Sequence, residues 1–186
     1  MPFFKRLSII LIIISILLVI MNGISYSAPK KIIIKDVEIN DNNNLKYVSF
    51  SQQMSIDNEI REAIDKGIPL VFKVTLEGAE LHDIWPTRII KREVRYYQIQ
   101  YKTLRKIYRV LDINNQKHEY KNMDDAIQKI LKVDNLEFSL DKKNKDYELW
   151  INVALERKKL PKPLQVNYFD STWNMTSERS IHKLGK

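Results

Sequence analysis

The chain has 186 residues, of which 44% are hydrophobic and 29% are charged, and its formal net charge is +8. This length and apolar content predict one folded domain and exclude an intrinsically disordered protein. Cysteine is absent from the sequence, so a disulfide framework, a thiolate metal site and a cysteine nucleophile are excluded. The positive charge favours anionic partners such as lipid head groups, acidic glycans or nucleic acid.

The N-terminus has the three parts of a secretory signal peptide. Lys5-Arg6 is its positive start, residues 7–21 are an uncharged apolar run, and residues 22–28 are mostly small or polar. The run is about fifteen residues long, shorter than the roughly 20 that span a hydrocarbon core. We therefore predict a signal peptide over residues 1–27, cleaved after Ser27, with an uncleaved N-terminal anchor as the alternative.

Export by this signal predicts a periplasmic protein, either soluble or tethered to the inner membrane by its N-terminus. Loss of Lys5 and Arg6 lowers the formal charge from +8 to about +6. Nucleic acid is then not an expected partner, because export separates the domain from it.

A β-hairpin and a short helix are predicted at the start of the exported part. Residues 31–40 and 45–53 are two strands joined by an Asp-Asn-Asn-Asn turn, whose side chains favour turn dihedrals. Ser55 is placed to cap the helix that follows, and Gly67 is placed to end it with a left-handed residue. The apolar positions on one face of this helix are Ile56, Ile60, Ala63 and Ile64.

Two more strands are predicted before the most basic part of the chain. Residues 69–77 alternate apolar and polar side chains, and Gly78 ends this strand. Residues 79–85 form a further strand, closed where Pro86 restricts the residue before it.

Residues 88–113 are predicted to be the central ribbon of an antiparallel sheet. They contain eight Lys or Arg, four Tyr, and neither Gly nor Pro, a composition that fits pleated strands. The apolar positions change parity near Arg95, which predicts a β-bulge there. Residues 104–111 also fit one face of a helix, so helix is the alternative for this segment.

A second helix, a second hairpin and a last strand are predicted in the remaining chain. Asn122 begins the helix, and residues 136–140 and 146–156 form the hairpin around a charged loop. Residues 160–164 are extended because of two prolines. The segment from Gln165, with Val166, Tyr168, Phe169 and Trp173, returns to the sheet as the last strand, and fraying is expected beyond Ser177.

These elements predict a mainly β fold with two short helices. Seven or eight strands in this order indicate an antiparallel β-sandwich or a curled sheet in a single domain. The domain is predicted over residues 28–177, followed by a flexible tail over residues 178–186.

The basic and aromatic ribbon is the best candidate for a binding surface. Arg and Tyr side chains together bind phosphates, carboxylates and sugar faces through charge-assisted bonds and stacking. The structural alternative is that the tyrosines pack inward while the cations form a solvated face or guard an edge strand. The predicted binding residues are Arg92, Arg95, Tyr97, Tyr101, Arg105, Tyr108 and Arg109.

Sequence motifs for catalysis are weak. His82-Asp83 and His118-Glu119 each place a base next to a carboxylate. Neighbouring residues of a strand point to opposite faces, however, so neither pair forms its own dyad and both histidines are expected to be exposed polar residues. The four glycines form no phosphate-binding loop. We predict no catalytic residue, cofactor or metal.

Three segments resemble a family of exported proteobacterial proteins known as domain of unknown function 4390. They are AIDKGIPL at residues 63–70, YKTLRKIYRV at residues 101–110, and LPKPLQ at residues 160–165 followed by Trp173. The family pattern usually has Arg and several Trp where this chain has residues 82–85, and a further Trp where it has Glu178-Arg179. The resemblance implies a periplasmic or membrane-facing protein of a family whose members are often encoded beside membrane sensor kinases, and it supplies no catalytic residue.

The leading hypothesis is a non-catalytic periplasmic domain that binds a protein partner, such as a membrane sensor kinase, or an anionic lipid or glycan of the envelope. One alternative is an envelope hydrolase that uses His82 or His118. Another is a carrier of a small apolar ligand in a cavity between the sheet and the helices.

Overall fold

A computed structural model describes residues 32–42, 45–82, 86–140, 147–166 and 171–184. The predicted signal peptide lies outside these residues, as do Trp85, the charged loop 141–146, and Tyr168 and Phe169. Among the helices of the described residues, none combines the length and apolar character needed to cross a membrane.

The described residues form nine strands and three helices. The strands are β1 Ile32–Asn42, β2 Leu45–Met54, β3 Leu70–Glu80, β4 Arg88–Lys102, β5 Ile107–Leu111, β6 Lys117–Tyr120, β7 Lys132–Ser139, β8 Tyr147–Leu155 and β9 Ser180–Leu184. The helices are α1 Asn58–Asp65, α2 Met123–Ile130 and the five-residue α3 Lys162–Val166. Short 3₁₀ turns lie at Arg157–Lys159 and Ser171–Trp173.

The strands form two antiparallel sheets. The small sheet has the order β1-β2-β7, and the large sheet has the order β6-β5-β4-β3-β8-β9. One buried apolar cluster includes residues of both sheets and of α1 and α2. The predicted mainly β, single-domain, sandwich-like fold is therefore confirmed.

The core follows the two-residue period of β3 and β8. Leu70, Phe72, Val74 and Leu76 of β3 are at most 1% exposed, and this face of the large sheet is called the inner face. Their partners across β8 are equally apolar, with Val74 opposite Val153 and Leu76 opposite Ile151. The opposite face of the large sheet, called the outer face, carries Lys73, Thr75 and Glu77 of β3.

Strand β3 continues through Gly78, so the prediction that this glycine ends the strand was wrong. Gly78 pairs with Leu149 on β8 and with Lys91 on β4. A Cβ atom placed on Gly78 would lie 2.6 Å from Leu140 Cδ1 and 3.2 Å from Phe138 Cζ. The glycine is needed because side chains at the end of β7 pack directly onto the backbone of β3.

The basic stretch is a hairpin and not one continuous ribbon. Strand β4 is separated from β5 by a turn at residues 103–106, in which Lys106 adopts a φ of 52°. The strand interpretation is confirmed for residues 107–111, and the helix alternative was wrong. The pairing with β3 shifts between Lys91 and Ile89, so the bulge lies at this end of β4 and not near Arg95.

Both predicted helices are present, with one difference at a cap. Asn122 caps α2 as predicted, because its Oδ1 accepts a hydrogen bond from the Asp124 amide at 2.9 Å. The N-cap of α1 is Asp57 and not Ser55, whose hydroxyl donates to the Asp57 carboxylate. After α1, Gly67 has a φ of 82°, the left-handed conformation that glycine adopts without strain.

Residues 136–140 and 146–156 do not form the predicted hairpin. Strand β7 pairs with β2 in the small sheet, while β8 pairs with β3 and β9 in the large sheet. Both segments have the expected alternation, but alternation specifies which face is buried and leaves the partner strand open.

The C-terminal part also differs from its prediction. Helix α3 begins at Lys162, where an extended segment was predicted, because Pro163 lies in its first turn and an N–H group is not needed there. The last strand is β9, which pairs with β8 in the part of the chain expected to fray. Trp173 is 1% exposed and donates its indole N–H to Glu59 of α1 at 3.1 Å.

Replacing Gly78 by alanine should lower the free energy of unfolding by about 1–3 kcal/mol, because the added methyl group overlaps Leu140. Urea unfolding of the wild type, Gly78→Ala, Leu140→Ala and the double variant measures this effect. In the Leu140→Ala background the cost of the methyl group should be smaller, since the clashing atoms are gone. If the loss in free energy of unfolding of the double variant equals the sum of the losses of the two single variants, direct packing between these two residues is contradicted.

Candidate functional site

The seven predicted binding residues do not lie on one face of the large sheet. Arg92 is on the outer face of β4, whereas Tyr97 is buried on the inner face. The remaining five residues lie in three separate places: Tyr101 with Tyr108, Arg105 with Arg109, and Arg95 by itself. The composition of the stretch does not show this division. The face on which each side chain lies depends on strand parity and on the turn at residues 103–106.

Tyr101 and Tyr108 form a cross-strand pair on β4 and β5. Their ring centroids are 4.8 Å apart, and the Tyr108 hydroxyl donates to Asp65 of α1 at 2.6 Å. Burial and then this hydrogen bond to a carboxylate raise the pKa of Tyr108 to about 12. The pair joins the hairpin to α1 and packs partly buried against the core.

Arg105 and Arg109 both bind Glu119 of β6. Arg105 makes two bonds of 2.8 and 2.9 Å to the carboxylate, and Arg109 Nη2 lies 3.0 Å from it. Desolvation acts to raise the pKa of Glu119, but the hydrogen bonds and charges of the two guanidinium groups outweigh it and lower that pKa. Much of the hydrogen-bonding capacity of both arginines is therefore used within the sheet.

Arg95 lies at an edge of the large sheet. It pairs with Glu93 at 3.3 Å, and Lys91 lies 3.3 Å from the same carboxylate group. Strand β5 pairs only with residues 98–102 of β4, so within the described chain residues 88–97 have β3 alone as a neighbour. Charged side chains along such an open edge are typical protection against pairing with other chains.

Arg92 lies in a groove of about 560 Å³ on the outer face of the large sheet. Its Nε and Nη2 atoms each lie 2.7 Å from Glu77 Oε1. Glu77 is 9% exposed, so its carboxylate is largely covered. The groove is lined by Lys73, Thr75, Glu77, Arg92, Val94, Asn152 and Arg179.

Arg179 is a second cation of this groove and was missed by the sequence prediction. Its guanidinium carbon lies 4.1 Å from the ring centroid of Trp150, and Nη2 lies 3.9 Å from Glu77 Oε2. The Trp150 indole is itself held by a hydrogen bond to Glu148 at 2.9 Å. Arg179 was placed in a frayed tail, and only the pairing of β9 with β8 brings it to Glu77.

Each histidine of the hydrolase alternative lies near a carboxylate; Asp83, the neighbour of His82, lies outside the described residues, and the partner of His118 is not its neighbour Glu119. His82 Nε2 lies 3.7 Å from Glu80, and His118 Nε2 lies 2.8 Å from Asp112. Asp112 also accepts hydrogen bonds from the amides of Asn114 and Gln116, so it holds the β5–β6 turn. The described residues contain no group of three or more His, Asp or Glu arranged to hold a metal ion.

The Asp112 carboxylate is more stable in its ionised form in the folded protein than in the unfolded chain. Burial acts to raise its pKa, but the hydrogen bonds from His118, Gln116 and Asn114 outweigh burial and lower it. The stabilisation is therefore fully present above the ordinary carboxyl pKa of about 3.9, and is lost as the pH falls through the lower folded-state value.

Asp112→Asn should lower the free energy of unfolding by about 1 kcal/mol at pH 7, and by less at pH 3. Urea unfolding at both pH values measures the two differences from the wild type. Asp134→Asn is the matched control, because Asp134 is exposed and forms no ion pair among the described residues. If Asp112→Asn lowers the free energy of unfolding as much at pH 3 as at pH 7, this electrostatic contribution is ruled out.

The model of the family DUF4390, a domain of unknown function, matches residues 30–182. No curated protein and no solved structure is significantly similar to the chain. Because the match covers most of the 186 residues, the chain belongs to the DUF4390 family.

Proposed function

We propose that this protein is an exported, non-catalytic binding domain whose outer-face groove receives an acidic segment of a partner protein in the cell envelope. The observation that carries this proposal is the arrangement of Arg92 and Arg179 around the covered carboxylate of Glu77, with Arg179 on the ring of Trp150. The protein works in the periplasm, free or tethered by its N-terminus.

The charge of the groove supports an acidic partner. Lys73, Arg92 and Arg179 line it against the single carboxylate of Glu77, and Glu156 lies 3.7 Å from Lys73. Arg92 and Arg179 keep 62% and 51% of their side-chain surface exposed, so their remaining N–H groups are open to solvent. Guanidinium groups already held in place lose less conformational entropy when a carboxylate binds them.

The apolar surface near the groove favours a protein over a lipid or a glycan. Tyr96 is 46% exposed on β4, and Ile181 is 53% exposed on β9, where it is paired with Trp150. Tyr, Trp and Arg are the residues most enriched where protein interfaces bind tightly. An envelope sensor kinase fits this class of partner, and the family resemblance supports it.

The proposal is tested by crosslinking in cells that produce the tagged, full-length chain. Replacing Arg92 and Arg179 together by glutamine should reduce recovery of the partner more than tenfold, since two charge-assisted bonds of about 1.5–3 kcal/mol each are removed. Mass spectrometry identifies the crosslinked partner and also the mature N-terminus, which is Ala28 if the leader is cleaved.

Replacing Arg105 and Arg109 by glutamine is the matched control, because it removes two arginines that are bound to Glu119 outside the groove. This variant should keep the partner, and thermal unfolding must show that both variants remain folded. Loss of the partner only in the control would place the interaction at the β4–β5 hairpin. Equal recovery with both variants, or no specific partner for the wild type, would contradict the proposal.

A further inference from the structure

One edge of β4 is open over residues 91–97 within the described chain. Strand β5 pairs only with residues 98–102, because the chain then turns at Asp112, whose carboxylate accepts hydrogen bonds from the amides of Asn114 and Gln116. On its other side, β4 pairs with β3 along this whole segment. An open strand edge is a template for pairing with another chain.

The backbone groups that face this edge follow from the hydrogen bonds of the neighbouring strands. The carbonyl oxygen of Val71 on β3 accepts a hydrogen bond of 2.7 Å from the amide of Glu156, which lies on the β8 side. Val71 is opposite Gln98 of β4, so the backbone groups of Gln98 point away from β3. Because this direction alternates along a strand, the N–H and C=O groups of the even-numbered residues from 92 to 96 also point to the open edge.

The side chains along this edge alternate between the two faces of the large sheet. Arg92, Val94 and Tyr96 lie on the outer face, and Tyr96 is 46% exposed. Glu93 and Arg95 share the other face, where Arg95 Nη2 lies 3.3 Å from Glu93 Oε2. The edge therefore carries opposite charges next to each other on one face, and an arginine and a tyrosine on either side of a valine on the other.

One antiparallel register matches this edge with the same edge of a second copy. It is centred on Val94, so each residue lies opposite the residue equally far from Val94 on the other copy. Glu93 of each copy then lies opposite Arg95 of the other, and opposite charges stabilise a cross-strand pair. Arg92 of each copy lies opposite Tyr96, which favours a cation–π contact. The even-numbered residues, whose backbone groups face the edge, also lie opposite each other, as antiparallel hydrogen bonds require.

The neighbouring registers are unfavourable. Centring the pair on Glu93 places two glutamates opposite each other and Lys91 opposite Arg95. Centring it on Arg95 places two arginines opposite each other. The charges of this edge thus act against these pairings and permit one two-fold arrangement.

We infer that the open edge of β4 is a dimer interface, in which residues 91–97 of two copies pair antiparallel about Val94 and join the two large sheets into one. The paired length ends at Tyr97, because Gln98 is already paired with β5, and at Lys91, where a bulge bends the strand. The two-fold axis of such a pair is perpendicular to the sheet, so the outer faces of both copies lie on the same side. The interface does not depend on what the groove binds.

The inference is tested by analytical ultracentrifugation of protein purified from cells that produce the full-length chain. The wild type should form a dimer as its concentration rises from micromolar to millimolar. Glu93→Arg and Arg95→Glu should each weaken the dimer about tenfold or more, since each change places like charges opposite each other twice. An equimolar mixture of the two variants should recover the dimer, because the arginines of one variant then lie opposite the glutamates of the other.

Glu137→Arg is the control, because it makes the same change of charge at an exposed position of β7 and should keep the dimer. Val94→Pro keeps the test valid if a charge reversal does not fold. The Val94 N–H faces the open edge and is not needed by β3, so this variant should stay folded and also weaken the dimer about tenfold or more. A wild type that stays monomeric, a dimer that these variants leave unchanged, or a mixture that does not recover the dimer would overturn the inference. All of these variants keep Arg92 and Arg179, so failure of this interface is distinguishable from failure of the groove.

Discussion

The whole structure depends on the close packing of the two sheets across β3. The inner face of this strand is almost fully buried, and Gly78 lets Phe138 and Leu140 approach its backbone. Because β3 pairs with β4 on one side and β8 on the other, its position determines the register of both neighbours. The outer face of β3 then supplies the floor of the groove, so the residues that make the core and those that make the proposed site alternate along one strand.

Glu77 has a similar organising role on the outer face. Burying the Glu77 carboxylate is costly unless it has partners. Arg92 of β4 and Arg179, which lies directly before β9, are those partners. The same contacts hold the two guanidinium groups side by side. A partner carboxylate would thus meet cations that are already placed, which makes the groove suited to recognition.

Strand β4 distributes its side chains between the two faces of the large sheet. Arg92 and Val94 line the groove on the outer face, whereas Tyr97 is buried on the inner face and stacks on Phe72 with ring centroids 5.1 Å apart. The same strand therefore supplies residues both to the groove and to the core.

The sequence by itself determined the local features: the alternation of buried residues in β3 and β8, the Asn122 cap, the left-handed Gly67 and the membership of a family. These depend on neighbouring residues and on the physics of a single element. Only the tertiary structure decided that β7 and β8 belong to different sheets, that Arg179 contacts Glu77, and that Tyr97 is buried on the inner face. Such contacts join residues far apart in the chain, and they depend on strand order and register, which a period-two pattern leaves open.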